Sequence, residues 1–197
     1  MPKRSELLDL VDQFAEEIHE ALGNDIEQWL LRAESLHSAG QLLYERIGEP
    51  PTPGADVEKV WTWFGVHDIG RMLRGMALEC LLKAIWLARG EMLVKAGRFI
   101  GITGAKGHDL YAMYTAACLN HRVALNEEEK KLLTRLSFAI VSARYPILKS
   151  PNGDYPNAPT SRDKMQWNKC EYQKDSALFE ALWHKLLGTL QEYRSKA

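Results

Sequence analysis

The sequence predicts an all-α protein, an antiparallel helical bundle of four core helices with flanking terminal helices, in a single domain over residues 1–197. Three observations predict it. Five stretches repeat apolar residues at three- and four-residue spacing, the period of an amphipathic helix. One of them, HDIGRMLRGMALECLLKAIWLARG from His67 to Gly90, is apolar on nearly every side, as a helix in the middle of a bundle must be. Strand-like alternation is confined to the neighbourhood of Arg98 to Ile102.

From Ser5 to Leu22, the residues Leu7, Leu8, Val11, Phe14, Ala15, Ile18 and Leu22 share one helical face, and Gly23 and Asn24 end the run. Glu16, Glu17 and Glu20 read as its solvated side. A second helix is expected from Asp25 to about Ile47. Its seam of Trp29, Ala33, Leu36, Gly40, Leu43 and Ile47 packs along its whole length against a partner, with Ala33 and Gly40 permitting close approach. The prolines of EPPTPGAD, from Glu49 to Asp56, make a rigid connector. A short helical piece then carries Val57, Val60, Trp61 and Phe64 to a cap at Gly65, its aromatics forming a lid on the core.

The central helix follows, with Ile69, Leu73, Met76, Cys80, Ala84 and Leu87 at helical spacing. Its main polar interruption is a strip in which Arg71, Gly75, Glu79 and Lys83 succeed one another at four-residue steps, which makes Glu79 and Lys83 neighbours. Between Gly90 and Gly107 the periodicity fails, and the glycines allow either a short hairpin or an irregular loop. This loop lacks the GxxxxGK[ST] phosphate cradle, because Lys106 precedes its glycine. Lys106, Gly107 and His108 at a helix start could still meet an anion through unpaired amides.

That next helix is expected from about His108 to Leu119, with Leu110, Met113, Tyr114 and Ala117 inward. Asn126 and Glu129 have the spacing of a capping box, and they open a helix whose face is Leu132, Leu133, Leu136, Ala139, Ile140 and Ala143 until Pro146 stops it. The proline-rich segment from Tyr145 to Gln173 is irregular and too long for a simple connector. Lys149, Arg162, Lys164 and Lys169 alternate there with Tyr155, Trp167 and Tyr172. This composition suits either single-stranded nucleic acid or a wrap packed on the bundle, and the wrap is the default. A last helix runs from Asp175 to about Tyr193 on Leu178, Leu182, Leu186, Leu190 and Tyr193.

The totals bound the function. A net charge of -1 offers no global attraction to nucleic acid, so any RNA contact needs a local basic patch. Three widely separated cysteines, Cys80, Cys118 and Cys170, argue against a disulfide framework and for a reducing, cytosolic compartment. The acidic interruptions Asp9, Asp12 and Glu16 exclude a signal peptide or a membrane span at the N-terminus. No His or Cys spacing suggests zinc, and no cofactor motif is present.

The pattern ALECLLKAIWL, followed by GHDLYAMY and later by ARYP, resembles the HEPN family of helical proteins over roughly Ile26 to Pro146. The resemblance implies an antiparallel bundle that often dimerises. It implies one of three roles: a metal-independent RNase of toxin and defence systems, a non-catalytic partner of a nucleotidyltransferase, or a protein without assigned chemistry. The resemblance also picks out His108 beside Asp109 at a helix start, and Arg144 with Tyr145 in the RYP element.

RNase members of the family carry an Arg, four to six residues, then a His, usually with a polar residue directly after the Arg and usually on a late helix. Here the match is Arg32 to His37, with Ala33 after the Arg and the pair on an early helix. Five residues are about 140° apart round a helix, so the two do not face one point. No residue is therefore assigned a catalytic role. The candidate ligand-binding residues are Lys83, Glu79, Arg71, Lys106, His108, Asp109, Arg144 and Tyr145. The function expected is a non-catalytic module that forms a homodimer and binds a nucleotide, RNA or protein partner, such as a nucleotidyltransferase, in a defence or stress-related system. A divergent ribonuclease toxin and a purely structural interaction protein are the alternatives.

Overall fold

A computed structural model of the chain describes residues 4–49, 51–52, 54–118, 124–142 and 172–196. Its elements are α1 (Arg4–Gly23), α2 (Ile26–Ile47), α3 (Val57–Ala88), β1 (Val94–Lys95), β2 (Arg98–Phe99), α4 (Leu110–Ala117), α5 (Glu127–Ser142) and α6 (Tyr172–Arg194). More than half of the whole chain is helical, and the only sheet among the described residues is the β1–β2 hairpin, so the protein is an all-α helical bundle. Most of the segment expected to be irregular, Tyr145 to Gln173, lies outside the described residues, as does Arg144 before it.

Helix α3 is the axis of the bundle, with α2, α4, α5 and α6 all packed against it. Every residue from Ala77 to Leu87 is buried, including Glu79 and Lys83, which leaves this part of the helix without a solvent side. The expected break at Gly65 does not occur. Asp56 opens α3 by accepting a hydrogen bond from the Glu58 amide at 2.8 Å, and the helix continues through Gly65 for 32 residues. A single glycine costs a helix only about 1 kcal/mol, too little to end one packed along its length against a neighbour. The continuous register turns Val57 and Trp61 outward and Trp63 inward, so Trp63 forms the aromatic cover expected of Trp61. Ile69, placed in the core by its spacing, is exposed for the same reason.

The partner of the α2 seam is α3, running antiparallel. Trp29 meets Lys83 at one end, Gly40 lies against Arg74 and Gly70 in the middle, and the Trp63 indole N–H donates to the Gly48 carbonyl at the other. Ala33 and Gly40 are the two buried residues of α2, as their small size requires at a close crossing. Helix α5 opens with the reciprocal capping box: the Asn126 amide donates to Glu129 at 2.7 Å, and the Glu129 amide to the Asn126 side chain at 2.9 Å. Helix α6, expected as a flanking element, contributes Phe179, Leu182, Trp183, Leu186 and Leu190 to the core. The intermittent stripe of leucines understated its apolar face, because Phe179 and Trp183 widen it.

The glycine-rich loop resolves into a two-residue hairpin, in which Ala96 (φ 49°) and Gly97 (φ 69°) both take the left-handed conformation that such a turn demands. Asn24 anchors it. Its side-chain oxygen accepts from the Leu93 and Val94 amides at 2.8 and 3.0 Å, and its nitrogen donates to the Val94 carbonyl at 2.8 Å.

Two glycines of α3 separate packing from propensity. A Cβ on Gly75 would sit 2.8 Å from Ile140 Cγ1 and 3.0 Å from the Leu136 carbonyl oxygen, whereas a Cβ on Gly65 would meet nothing within 4 Å. Thermal unfolding should show Gly75→Ala destabilised by about 1–3 kcal/mol through overpacking. Gly65→Ala should instead gain roughly 0.5–1 kcal/mol from propensity alone.

Candidate functional site

The polar strip of α3 does not stay together. Each four-residue step advances about 40° beyond a full turn, so its members drift round the axis and meet different neighbours. Arg71 lies beside Asp68, 3.8 Å away and on its own helix. Gly75 faces α5. Only Glu79 and Lys83 form one site, where the Lys83 ammonium donates to Glu79 Oε1 at 2.8 Å, with both side chains about nine-tenths buried.

His108 completes this site from the loop that precedes α4. Its Nδ1 lies 2.7 Å from Glu79 Oε2. An ionised carboxylate can only accept, so Nδ1 carries the proton and donates it. The two oxygens of Glu79 thus bind two different cations or donors, one from the next turn of α3 and one from a residue 29 positions later. Aromatic rings close the far side of Lys83, whose ammonium lies 4.5 Å from the Trp29 ring centre and 5.3 Å from that of Phe99.

The loop is held by its own bonds. Asp109 caps α4 by accepting from the Ala112 amide at 3.0 Å, and the Leu110 amide donates to Ser137 Oγ at 2.9 Å. Two of the first three helical amides are therefore already bonded within the chain, and α4 begins at Leu110 rather than at His108. Lys106 lies exposed in the same loop. Of the eight candidate residues, the fold brings Glu79, Lys83 and His108 together, sets Asp109 beside them as a cap, and leaves Arg71 elsewhere. Arg144 and Tyr145 are outside the described residues.

A second polar cluster was missed in the sequence. Arg74, buried in α3, stacks on Tyr44 at 3.7 Å, donates to Ser176 Oγ at 3.0 Å and lies 3.6 Å from Glu180. Glu180 in turn meets His37 at 3.0 Å, and the His37 ring stacks on Trp183 at 4.4 Å. The signal was present: an arginine on an otherwise apolar helix must find a carboxylate, and Glu180 follows directly after the inward Phe179. This cluster also accounts for the Arg32 and His37 pair, since His37 is engaged with α6 while Arg32 is exposed on α2.

Electrostatics fit a neutralised interior. Burial alone pushes the Glu79 carboxyl up, but the His108 hydrogen bond and the charge and hydrogen bond of Lys83 outweigh it and hold the group below the usual carboxylate value. Burial pushes the Cys80 thiol up to about 11 and the Cys118 thiol to about 12, which keeps both protonated and unreactive near neutral pH. Among the described residues no group of three His, Cys, Asp or Glu side chains could hold a metal ion, and no helix is long and apolar enough to cross a membrane.

Breaking a buried pair by removing one partner costs roughly 3–5 kcal/mol, because the other charge is stranded. Lys83→Met should therefore lower the melting temperature markedly, and Glu79→Gln/Lys83→Met should cost less than the sum of the two singles. The depressed Glu79 pKa sets the pH dependence. The stability it contributes is complete above the unfolded value of 4.5 and is lost as pH falls through the lower folded value. The stability gap between the natural chain and Glu79→Gln should therefore shrink on acidification below pH 4.5, as followed by thermal melts at stepped pH.

Comparison with family models, with curated proteins and with solved structures gives no significant match, so the reading of these residues rests on their sequence pattern and their geometry.

Proposed function

We propose that this chain is a HEPN-like helical module that carries out no chemistry of its own and acts by binding, as a homodimer with a protein partner. The observation that carries this reading is the double pairing of Glu79. The two basic side chains best placed to receive a phosphate, Lys83 and His108, are both engaged by one buried carboxylate. A nucleotide or RNA phosphate would have to displace that carboxylate and leave it unpaired in the core, at a cost of several kcal/mol. This weighs against the nucleotide and RNA partners that the resemblance also allows. The defence or stress setting comes with the resemblance, and a cytosolic location is supported by the buried free thiols of Cys80 and Cys118.

The ribonuclease alternative meets the same difficulty at another place. A general base needs hydrogen-bond reach to its substrate, and His37 is stacked under Trp183 and bonded to Glu180. Incubating an RNA pool with the chain in chelator, beside Arg32→Ala, His37→Ala and His108→Ala, tests the reading. Intact RNA in every arm is expected. Cleavage that survives chelation and disappears in the Arg32→Ala or His37→Ala variant would make the chain a metal-independent ribonuclease.

A further inference from the structure

The seam between α2 and α3 changes in character along its length. Near its middle it is closed by small residues, where a Cβ on Gly40 would lie 3.2 Å from Arg74 and one on Gly70 2.8 Å from Tyr44. At the end of α2 and the start of α3 it is closed by a large one, Trp63, which is buried, donates its indole N–H to the Gly48 carbonyl at 3.4 Å and stacks on His67 at 5.0 Å. Beside Trp63 the two helices leave a cleft of about 900 Å³. Leu43 and Ile47 of α2 and Trp63 and Val66 of α3 line it, together with Pro51, and every described lining residue belongs to α2, α3 or the connector between them. The cleft lies at the other end of the α2–α3 pair from Glu79 and Lys83 and shares no residue with that cluster.

We propose that this cleft binds a small uncharged molecule, an apolar ring system or chain that carries a single hydrogen-bonding group. The size of the cleft falls within the roughly 300–1,000 Å³ of small-ligand sites, and its walls are the apolar side chains just named. The charges on the lining argue against an ionised ligand. Arg46 and Lys59 stand there with Glu49, Asp56 and Glu58, all exposed and none in an ion pair among the described residues. An anion would meet more acids than bases, and a cation would have Arg46 and Lys59 beside it, so a charge of either sign would lose hydration without a clean counter-ion. An uncharged apolar molecule meets no such opposition and gains by leaving water. Polar partners are scarce as well. The Trp63 N–H is spent on Gly48, which makes the Thr62 hydroxyl the uncharged polar group on the described lining that can orient a ligand.

The walls are fixed before any ligand arrives. Trp63 is held by its bond to Gly48, the glycine contacts set the approach of the two helices, and Asp56 fixes the start of α3 by accepting from the Glu58 amide at 2.8 Å. A cleft built in this way costs little ordering on binding. The inference goes beyond the reading of the chain as a partner-binding module, and the two fail separately, because RNA cleavage would end that reading without changing what the cleft binds.

The uncharged dye N-phenyl-naphthylamine, whose emission rises when it leaves water, is a direct probe near neutral pH. Its titration should saturate at one dye per chain. Thr62→Trp should weaken binding by about tenfold or more with the melting temperature unchanged, because Thr62 is exposed and the added ring occupies the cleft rather than the core. Val66→Phe, a smaller plug one turn on, gives the same readout should Thr62→Trp melt early. Trp61→Gln, which removes an exposed ring outside the lining, should leave binding as it is. The anionic relative anilinonaphthalene sulfonate should bind more weakly than the neutral dye, and dodecyltrimethylammonium should not displace it. Absence of saturable binding overturns the inference, as does binding that survives both plugging variants. Loss of binding in Trp61→Gln would show adsorption to the exposed helix face instead, and tighter binding of the sulfonate or displacement by the cation would show that the cleft selects a charged ligand, each overturning it equally.

Discussion

A carboxylate in the middle of a buried helix has to be neutralised where it lies, and the placement of much of this protein follows from that requirement at Glu79. Lys83 supplies one partner from the following turn, at the favourable spacing for an acid that precedes a base. The second partner, His108, arrives only if the hairpin and the loop after it are folded back over the end of α3. Asn24 holds that hairpin, Phe99 of the hairpin covers Lys83, and Asp109 next to His108 starts α4. One ion cluster and the bonds around it thus tie together the α1–α2 corner, the hairpin, α3 and α4.

Elsewhere α3 is held by shape and by a second charge. Gly40 and Gly70 bring α2 and α3 close enough for Tyr44 to cover Arg74, and Gly75 lets α5 approach on another side. Arg74 repeats the logic of Glu79 with the opposite sign, because Glu180 of α6 comes to it and brings His37 of α2. The central helix therefore carries one buried ion cluster near its middle, at Arg74, and another in its C-terminal half, at Glu79, and the two fix which neighbours it accepts. Such clusters add less net stability than apolar packing of equal volume, and their effect here is on register, since a one-turn slip of α3 would strand both charges.

The sequence made the α-helical class legible because the helical period is local. Each of the stripes on α2, α5 and α6 can be read without knowing its partner, and the capping box at Asn126 and Glu129 is complete within four residues. What needed three dimensions was less legible. The continuity of α3 through Gly65 depends on α2 lying alongside, and the outward face of Ile69 depends on that continuity. At the candidate site, the Glu79 and Lys83 pair follows from spacing, whereas its third member is only one of several candidates in the sequence until the loop brings His108 within 2.7 Å. Arg74 was passed over because an arginine between apolar residues calls for a carboxylate, but nothing near it in the sequence says that Glu180 of α6 supplies it. Helix α1 inverts the usual rule, since its amphipathic pattern was read correctly and its orientation on the bundle is the opposite of what such a pattern predicts.

The central claim is that Glu79 holds Lys83 and His108 in a closed structural cluster rather than leaving them open to a phosphate ligand. Side-chain nitrogen NMR of His108 tests it most directly, recorded on the natural chain alone and with a saturating phosphate-bearing nucleotide such as ATP. The account predicts a single fixed tautomer with the proton on Nδ1, slow to exchange with water and unmoved by the nucleotide. A ring that averages between its two tautomers, or a resonance that shifts saturably as the nucleotide is added, would contradict it.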